Sequence, residues 1–213
     1  MNWHQAMDEA LKLLKSSGAA AAEPLLLKAL PLAGDKVELQ AMTYFNLALM
    51  YYDMNRPKET ERSFAHAIEL IQERLPKENE LYGMFLKTII EFYEKENRLA
   101  DSKKYYVMLV DLTKEMFGKS HPYVANVLAE FADVQLKINE PAEAEKSFNR
   151  VLDIMSAAKG PDHPHNAPFH AGLAKCYAML GRPSDSEYHQ ARATALAARG
   201  QKRTDIDLEE VDL

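Results

Sequence analysis

Asn55, Asn97, Asn139 and Gly181 fall at intervals of 42 residues, and Gly34, Pro76, Gly118 and Gly160 keep the same interval between them. Turn-forming residues in two registers of one period describe a chain made by repeating one supersecondary unit. Each unit covers the hydrophobic face its neighbour leaves open, and the stack presents an extended surface. Binding, ahead of catalysis, is the first functional expectation.

Between these turns the apolar residues recur at spacings of three and four, the mark of amphipathic helices rather than strands. Each unit therefore reads as a helical hairpin. Eight residues before the turn stand Leu47, Ile89, Phe131 and Leu173, followed by Ala48, Ile90, Ala132 and Ala174. Four before it come Tyr51, Tyr93, Gln135 and Tyr177. Beyond the turn the second helix offers Thr60, Ser102, Ala144 and Ser186, then the rings Phe64, Tyr106 and Phe148, then Ala67, Leu109, Val151 and Ala193.

Small, aromatic and small residues at these offsets, with Pro57, Pro141 and Pro183 opening the second helix, resemble the tetratricopeptide pattern over residues 35–199. A standard unit of that family has about 34 residues, so the longer period adds about two helical turns, at roughly 3.6 residues each, shared between the pair. The stretches FGKSHPYVANVLAEFADV and KGPDHPHNAPFHAGLAKCY narrow the likeness to the kinesin light chain type of repeat. In them Pro122 and Pro164 suit a first helical turn, and Gly118 and Gly160 a left-handed helix end. The resemblance implies an all-α, right-handed α-solenoid of stacked helical hairpins.

Three segments are expected: an irregular N-terminal hairpin over residues 1–33 that caps the array, four units over 34–200, and a disordered acidic tail over 201–213. The cap reads as helices from about Trp3 to Lys15 and from about Ala20 to Leu32, broken at Ser16-Ser17-Gly18. The fourth unit decays, with Gln190 in the ring column and His170 where its counterparts are Tyr44, Leu86 and Leu128.

Charge removes one class of partner. Of 32 acids, five stand in residues 204–213, leaving 27 acids against 26 bases in the body. So even a balance gathers no phosphates, and nucleic acid is not expected. Neither is a membrane, because the apolar AAAAEPLLLKALPLAG is interrupted by Glu23, Pro24, Lys28 and Pro31. Cys176 is the single cysteine, which rules out a disulfide within the chain and suggests a cytoplasmic setting.

Chemistry finds little support. His163, His165 and His170 invite a metal-dependent enzyme as a remote alternative, yet no Cys or Asp cluster completes a ligand set. Nothing in the sequence activates Cys176, and no phosphate loop, G-x-S-x-G or H-E-x-x-H motif occurs. The expectation is no enzyme, no cofactor and no metal.

In tetratricopeptide arrays the first helix of each pair lines the concave face. Residues ten, six and three before each turn are then Phe45, Leu49 and Tyr52; Lys87, Glu91 and Glu94; Ala129, Asp133 and Leu136; and Ala171, Lys175 and Ala178. Ten of the thirteen residues from Met42 to Met54 are apolar, so that helix needs cover all round. Met42, Phe45, Leu49 and Tyr52 are covered either by the N-terminal hairpin or by a bound peptide carrying bulky apolar residues, with Lys87 meeting an acidic flank. Asn46 matches the asparagine with which kinesin light chains bond a cargo backbone. Thr88, Glu130 and Gly172 hold the same slot elsewhere, so most of that ladder is lost.

The function these readings imply is an adaptor or scaffold that binds a protein or peptide partner on its concave face. The alternative is self-assembly through the apolar first unit or the last helix. The tail DIDLEEVDL, within residues 204–213, alternates acids and aliphatics like many short linear ligands and is a candidate for self-interaction. Motor transport does not follow, since no sustained heptad region precedes the first unit.

Overall fold

The computed structural model describes the backbone of residues 1–74 and 80–209, and the side chains of 1–74 and 81–200. Pro76, one of the loop residues in the 42-residue register, lies outside them. Ten α-helices and no strand occur among the described residues. They are α1 (Trp3–Ser17), α2 (Ala19–Leu32), α3 (Val37–Asp53), α4 (Pro57–Arg74), α5 (Glu80–Lys95), α6 (Leu99–Phe117), α7 (Pro122–Lys137), α8 (Pro141–Lys159), α9 (Ala167–Met179) and α10 (Pro183–Glu209). The fold is all-α, of the solenoid class, and divides into two compact units, Met1–Ile89 and Ile90–Leu213.

The repeated turns have one physical cause. Asn55, Asn97, Asn139 and Gly181 take positive φ of 54°, 55°, 61° and 69°, a left-handed conformation that costs Asn and Gly least. The following N–H then turns back to a carbonyl of the helix it has just left. Arg56 donates to Tyr51 at 2.9 Å, Arg98 to Tyr93 at 2.8 Å, Glu140 to Gln135 at 2.8 Å and Arg182 to Tyr177 at 2.9 Å. This C-terminal cap satisfies a carbonyl that the helix end would leave open, and it reverses the chain into the second helix.

Loops between hairpins follow a second recipe. After Gly118 and Gly160, at φ 89° and 95°, His121 and His163 act as N-caps. Their Nδ1 atoms accept from the N–H of Tyr123 and His165, both at 3.1 Å. Pro122 and Pro164 follow at the first helical position, where a missing N–H costs nothing. The G-x-x-H-P signature is thus a helix start. In the last hairpin it opens a single 3-10 turn, Pro164–Asn166, before α9. Buried Asn166 closes that loop by donating to the Gly160 and Pro161 carbonyls at 3.0 and 3.2 Å.

All four members of the column Leu47, Ile89, Phe131 and Leu173 are buried, as are Tyr51, Tyr93, Gln135 and Tyr177 and the rings Phe64, Tyr106 and Phe148. Burying each large side chain contributes roughly 1.5–3 kcal/mol before conformational entropy is subtracted.

In the first compact unit, α1 and α2 pack Trp3, Ala6, Met7, Ala10, Ala22, Leu26 and Ala29 against Leu47, Met50 and Tyr51 of α3. The buried Trp3 indole donates to Thr43 Oγ1 at 2.9 Å and pins α1 to α3. Arg56 ties the next turn to the N-terminal hairpin through Glu23 at 3.0 Å.

In the second, the Tyr106 ring stacks on Phe131 with centroids 5.3 Å apart and planes at 10°. One hairpin later the Phe148 ring lies on the bare backbone of Gly172, where a Cβ would collide with it. The helix α10 continues to Glu209, past the array end expected near Gly200 and through part of the segment expected to be disordered. Residues 210–213 of the acidic tail lie outside the described residues.

Candidate functional site

The expected peptide-binding residues divide into those the chain covers itself and those it leaves open. Phe45 is a correction: at 7 % exposure it is buried. Its ring lies face to face with Phe85, centroids 3.9 Å apart and planes at 4°, with Phe64 on another side at 5.6 Å. A peptide could reach it only by displacing α5. The stacking of α5 explains this, because Phe85 supplies the cover that periodicity alone assigned to the N-terminal hairpin or a ligand. Met42 is half-buried against the core that Trp3, Ala6 and Met7 bring to α3, so the N-terminal hairpin covers it in part.

Asn46, Leu49 and Tyr52 remain half-buried along α3. One Nδ2 hydrogen of Asn46 goes to the Met42 carbonyl at 2.8 Å, an intrahelical bond that leaves its Oδ1 as the group with which to accept from a partner. On α5, Lys87 is exposed. Met84, in the same column as Met42 and one turn before Lys87, is 49 % exposed. It was not among the expected contacts, because the lining rule began ten residues before the turn and Met84 stands one helical turn earlier.

In the second unit Glu91, Asp133 and Lys175 are exposed. Glu94, expected beside them, is drawn sideways and accepts from the Tyr106 hydroxyl at 2.9 Å. Burial, reinforced by the bond to Glu94 and the charges of Glu94, Glu130 and Asp133, pushes that phenol far above the ordinary tyrosine range. It serves as a fixed donor.

The groups that invited chemistry are used structurally. His163 caps a helix, with the His165 ring at 5.7 Å from its own. His170 turns instead to His189, the two Nδ1 atoms 2.9 Å apart, one donating and one accepting. Burial, then the neighbouring charges of His189 and Arg192, bring His170 down to about 4. Among the described residues no group of three or more His, Cys, Asp or Glu could hold a metal. Cys176 is buried, and burial, with Glu145 nearby, pushes its thiol up to about 11, away from a reactive thiolate. No described helix is long and apolar enough to cross a membrane.

Comparison with known proteins agrees with this geometry. Family models described as tetratricopeptide repeat match residues 40–79, 84–157 and 140–199. The chain belongs to the tetratricopeptide repeat family. Solved structures of similar fold include BtubC (BKLC) from P. vanneervenii, at 18 % identity and a TM-score of 0.60, covering 93 % of this chain and 80 % of that one. A putative kinesin light chain of Podosopora anserina with nearly identical TPR-like repeats has 14 % identity and a TM-score of 0.63, over 93 % and 96 % of the two chains. The MamA protein has 13 % identity and a TM-score of 0.59, over 94 % of each chain. No curated protein sequence matches this one. At such identities the shared property is the fold, here a tetratricopeptide array of the kinesin light chain kind.

Proposed function

We propose that this tetratricopeptide chain is an adaptor that captures a peptide or a short helix of a partner protein on the inner strip of α3 and α5, with Asn46, Leu49, Tyr52, Met84 and Lys87 as contacts. The observation that carries the reading is what remains after the chain's own packing. Phe45 and most of Met42 are covered, whereas Leu49 and the Met84 side chain keep apolar surface in water beside exposed Lys87. Methionine and leucine adapt to varied side chains, and a lysine at the edge favours a partner with an acidic flank. Within the second unit, Glu91, Asp133 and Lys175 offer further contacts of mixed charge. A lone buried thiol suits a cytoplasmic setting.

Affinity capture from source lysate with wild type and a Leu49→Asp, Met84→Asp double variant tests the site. Both substitutions lie on exposed or half-exposed positions, so the variant is expected to keep its helical circular dichroism. Capture of the specific partner should fall at least about tenfold, the effect of losing roughly 1.4 kcal/mol. Equal capture by the folded variant would overturn the assignment.

A further inference from the structure

Within the first compact unit a pocket of about 350 Å³ opens between α2, α3 and α4. Leu30, Leu70 and the ring of Tyr44, all half-buried, supply its apolar surface. The Tyr44 ring leans on His66, centroids 5.1 Å apart. Glu69 and Glu73, one turn apart on α4, bring two carboxylates. Gln40, also in the lining, donates to the Gly34 carbonyl and keeps its Oε1 for accepting. Neither lysine nor arginine lines the pocket. His66 is the one lining group able to carry a positive charge, and its Nδ1 stands 3.6 Å from Glu69, beyond hydrogen-bond reach. Glu73 forms no ion pair among the described residues. The two acids repel each other at this spacing, and Glu73 stands in the last turn of α4, where the helix dipole disfavours it. Neither choice helps the fold, and both suit a cation.

The chain shows at its own turns which cation such a set holds. Arg56 lies 4.5 Å from the centroid of the Tyr51 ring and pairs with Glu23 at 3.0 Å and Glu59 at 2.9 Å. Arg182 lies 4.4 Å from that of Tyr177 and pairs with Glu145 at 3.3 Å and Asp185 at 2.7 Å. Tyr44, Glu69 and Glu73 are the same parts, a tyrosine face and two carboxylates, without the guanidinium. We propose that this pocket receives an arginine side chain from a partner protein. A guanidinium donates five N–H bonds and accepts none, which matches the acceptors of the lining, and its plane stacks on a tyrosine as an ammonium does not. The apolar surface takes the methylene stem. An arginine within a chain also lacks the free carboxylate that Glu69 and Glu73 would repel. The pocket is separate from the α3–α5 strip: Tyr44 stands five residues before Leu49, about 140° round α3 at roughly 100° per residue.

Amide NMR titration of the full chain with N-acetyl-arginine methylamide tests this. Signals of Tyr44, His66 and Glu69 should move and approach saturation by about 10 mM. The equally blocked citrulline, which keeps the shape and loses the charge, should bind at least about tenfold more weakly, and blocked lysine and free arginine should each bind more weakly than blocked arginine. A Glu69→Gln, Glu73→Gln variant, altered at two exposed positions, should keep its spectrum elsewhere and lose at least about tenfold in affinity for blocked arginine. Absence of saturable shifts at the pocket, equal binding by the folded variant, or blocked citrulline, blocked lysine or free arginine binding as tightly as blocked arginine would each overturn the proposal.

Discussion

Two successive junctions in the second compact unit solve one packing problem with opposite parts. Where α6 meets α7, Tyr106 stacks on Phe131 and Lys103 pairs with Glu140. Where α8 meets α9, the Phe148 ring rests on Gly172 and Glu145 pairs with Arg182. The period therefore conserves places rather than residues. An inverted pair of charges still closes a junction, and so does a ring that rests on Phe131 in one unit and, in the next, on Gly172, one residue before the corresponding Leu173. The turn residues show the same coupling: Arg182 lies over the Tyr177 ring at 4.4 Å, while the unit with Glu140 carries Gln135 in place of the tyrosine, and that amide accepts from Ser147 at 2.9 Å instead. A hairpin slipped by one unit would set like charges against each other, so the inversion also opposes wrong stacking.

The largest break should come from removing the wedge. Phe148→Ala empties a buried site and is expected to cost about 3–5 kcal/mol in chemical denaturation. Filling the same contact from the other side, Gly172→Ala is expected to cost about 1–3 kcal/mol through overpacking. Its penalty should shrink in a Phe148→Leu background, where the facing side chain is smaller. Equal penalties in both backgrounds would mean that ring and glycine do not meet.

Acid should act on the following hairpin. Burial holds His170 near 4 in the folded chain, below the ordinary value of 6.5. Above 6.5 neither folded nor unfolded chain binds this proton and the hairpin is at full stability. As pH falls from 6.5 towards 4 the unfolded chain takes up a proton that the folded chain refuses, so stability declines across that window and then levels off. With partial exposure allowed for, the loss is on the order of 1–2 kcal/mol. His170→Leu should flatten that part of the stability-against-pH curve.

The smallest effect sharpens the comparison most. Lys103 and Glu140 are partly exposed, so Lys103→Glu should cost about 0.5–1 kcal/mol. Adding Glu140→Lys should restore most of that loss, because the swapped pair then has the polarity of Glu145 and Arg182. A double variant no better than the single would show the pair to be decorative.

The columns were legible before any coordinates because a helix repeats its face every three to four residues and a left-handed turn accepts few residue types. Leu47, Ile89, Phe131 and Leu173 follow from that alone, and so do the asparagine turns. Cover is harder to read, since it depends on what packs over a residue from elsewhere in the chain. Phe45 looked open because nothing within α3 covers it, and Phe85, forty residues later, does. Met84 escaped because the lining rule began ten residues before the turn and Met84 stands one helical turn earlier. Glu94 left the lining through a hydroxyl on the neighbouring helix, which spacing along its own helix does not register. The end of α10 illustrates the same point: Gly200 ends the repeat period, while the helix runs on to Glu209.

Partner capture on the strip left uncovered along α3 and α5 is tested most directly by selecting ligands from a random displayed-peptide library on the purified chain. Selected peptides are then titrated against wild type and a Leu49→Asp, Lys87→Glu variant. Enriched sequences should carry bulky apolar residues with an acidic flank, and the variant should bind them at least about tenfold more weakly. Peptides that bind both proteins equally would contradict the account.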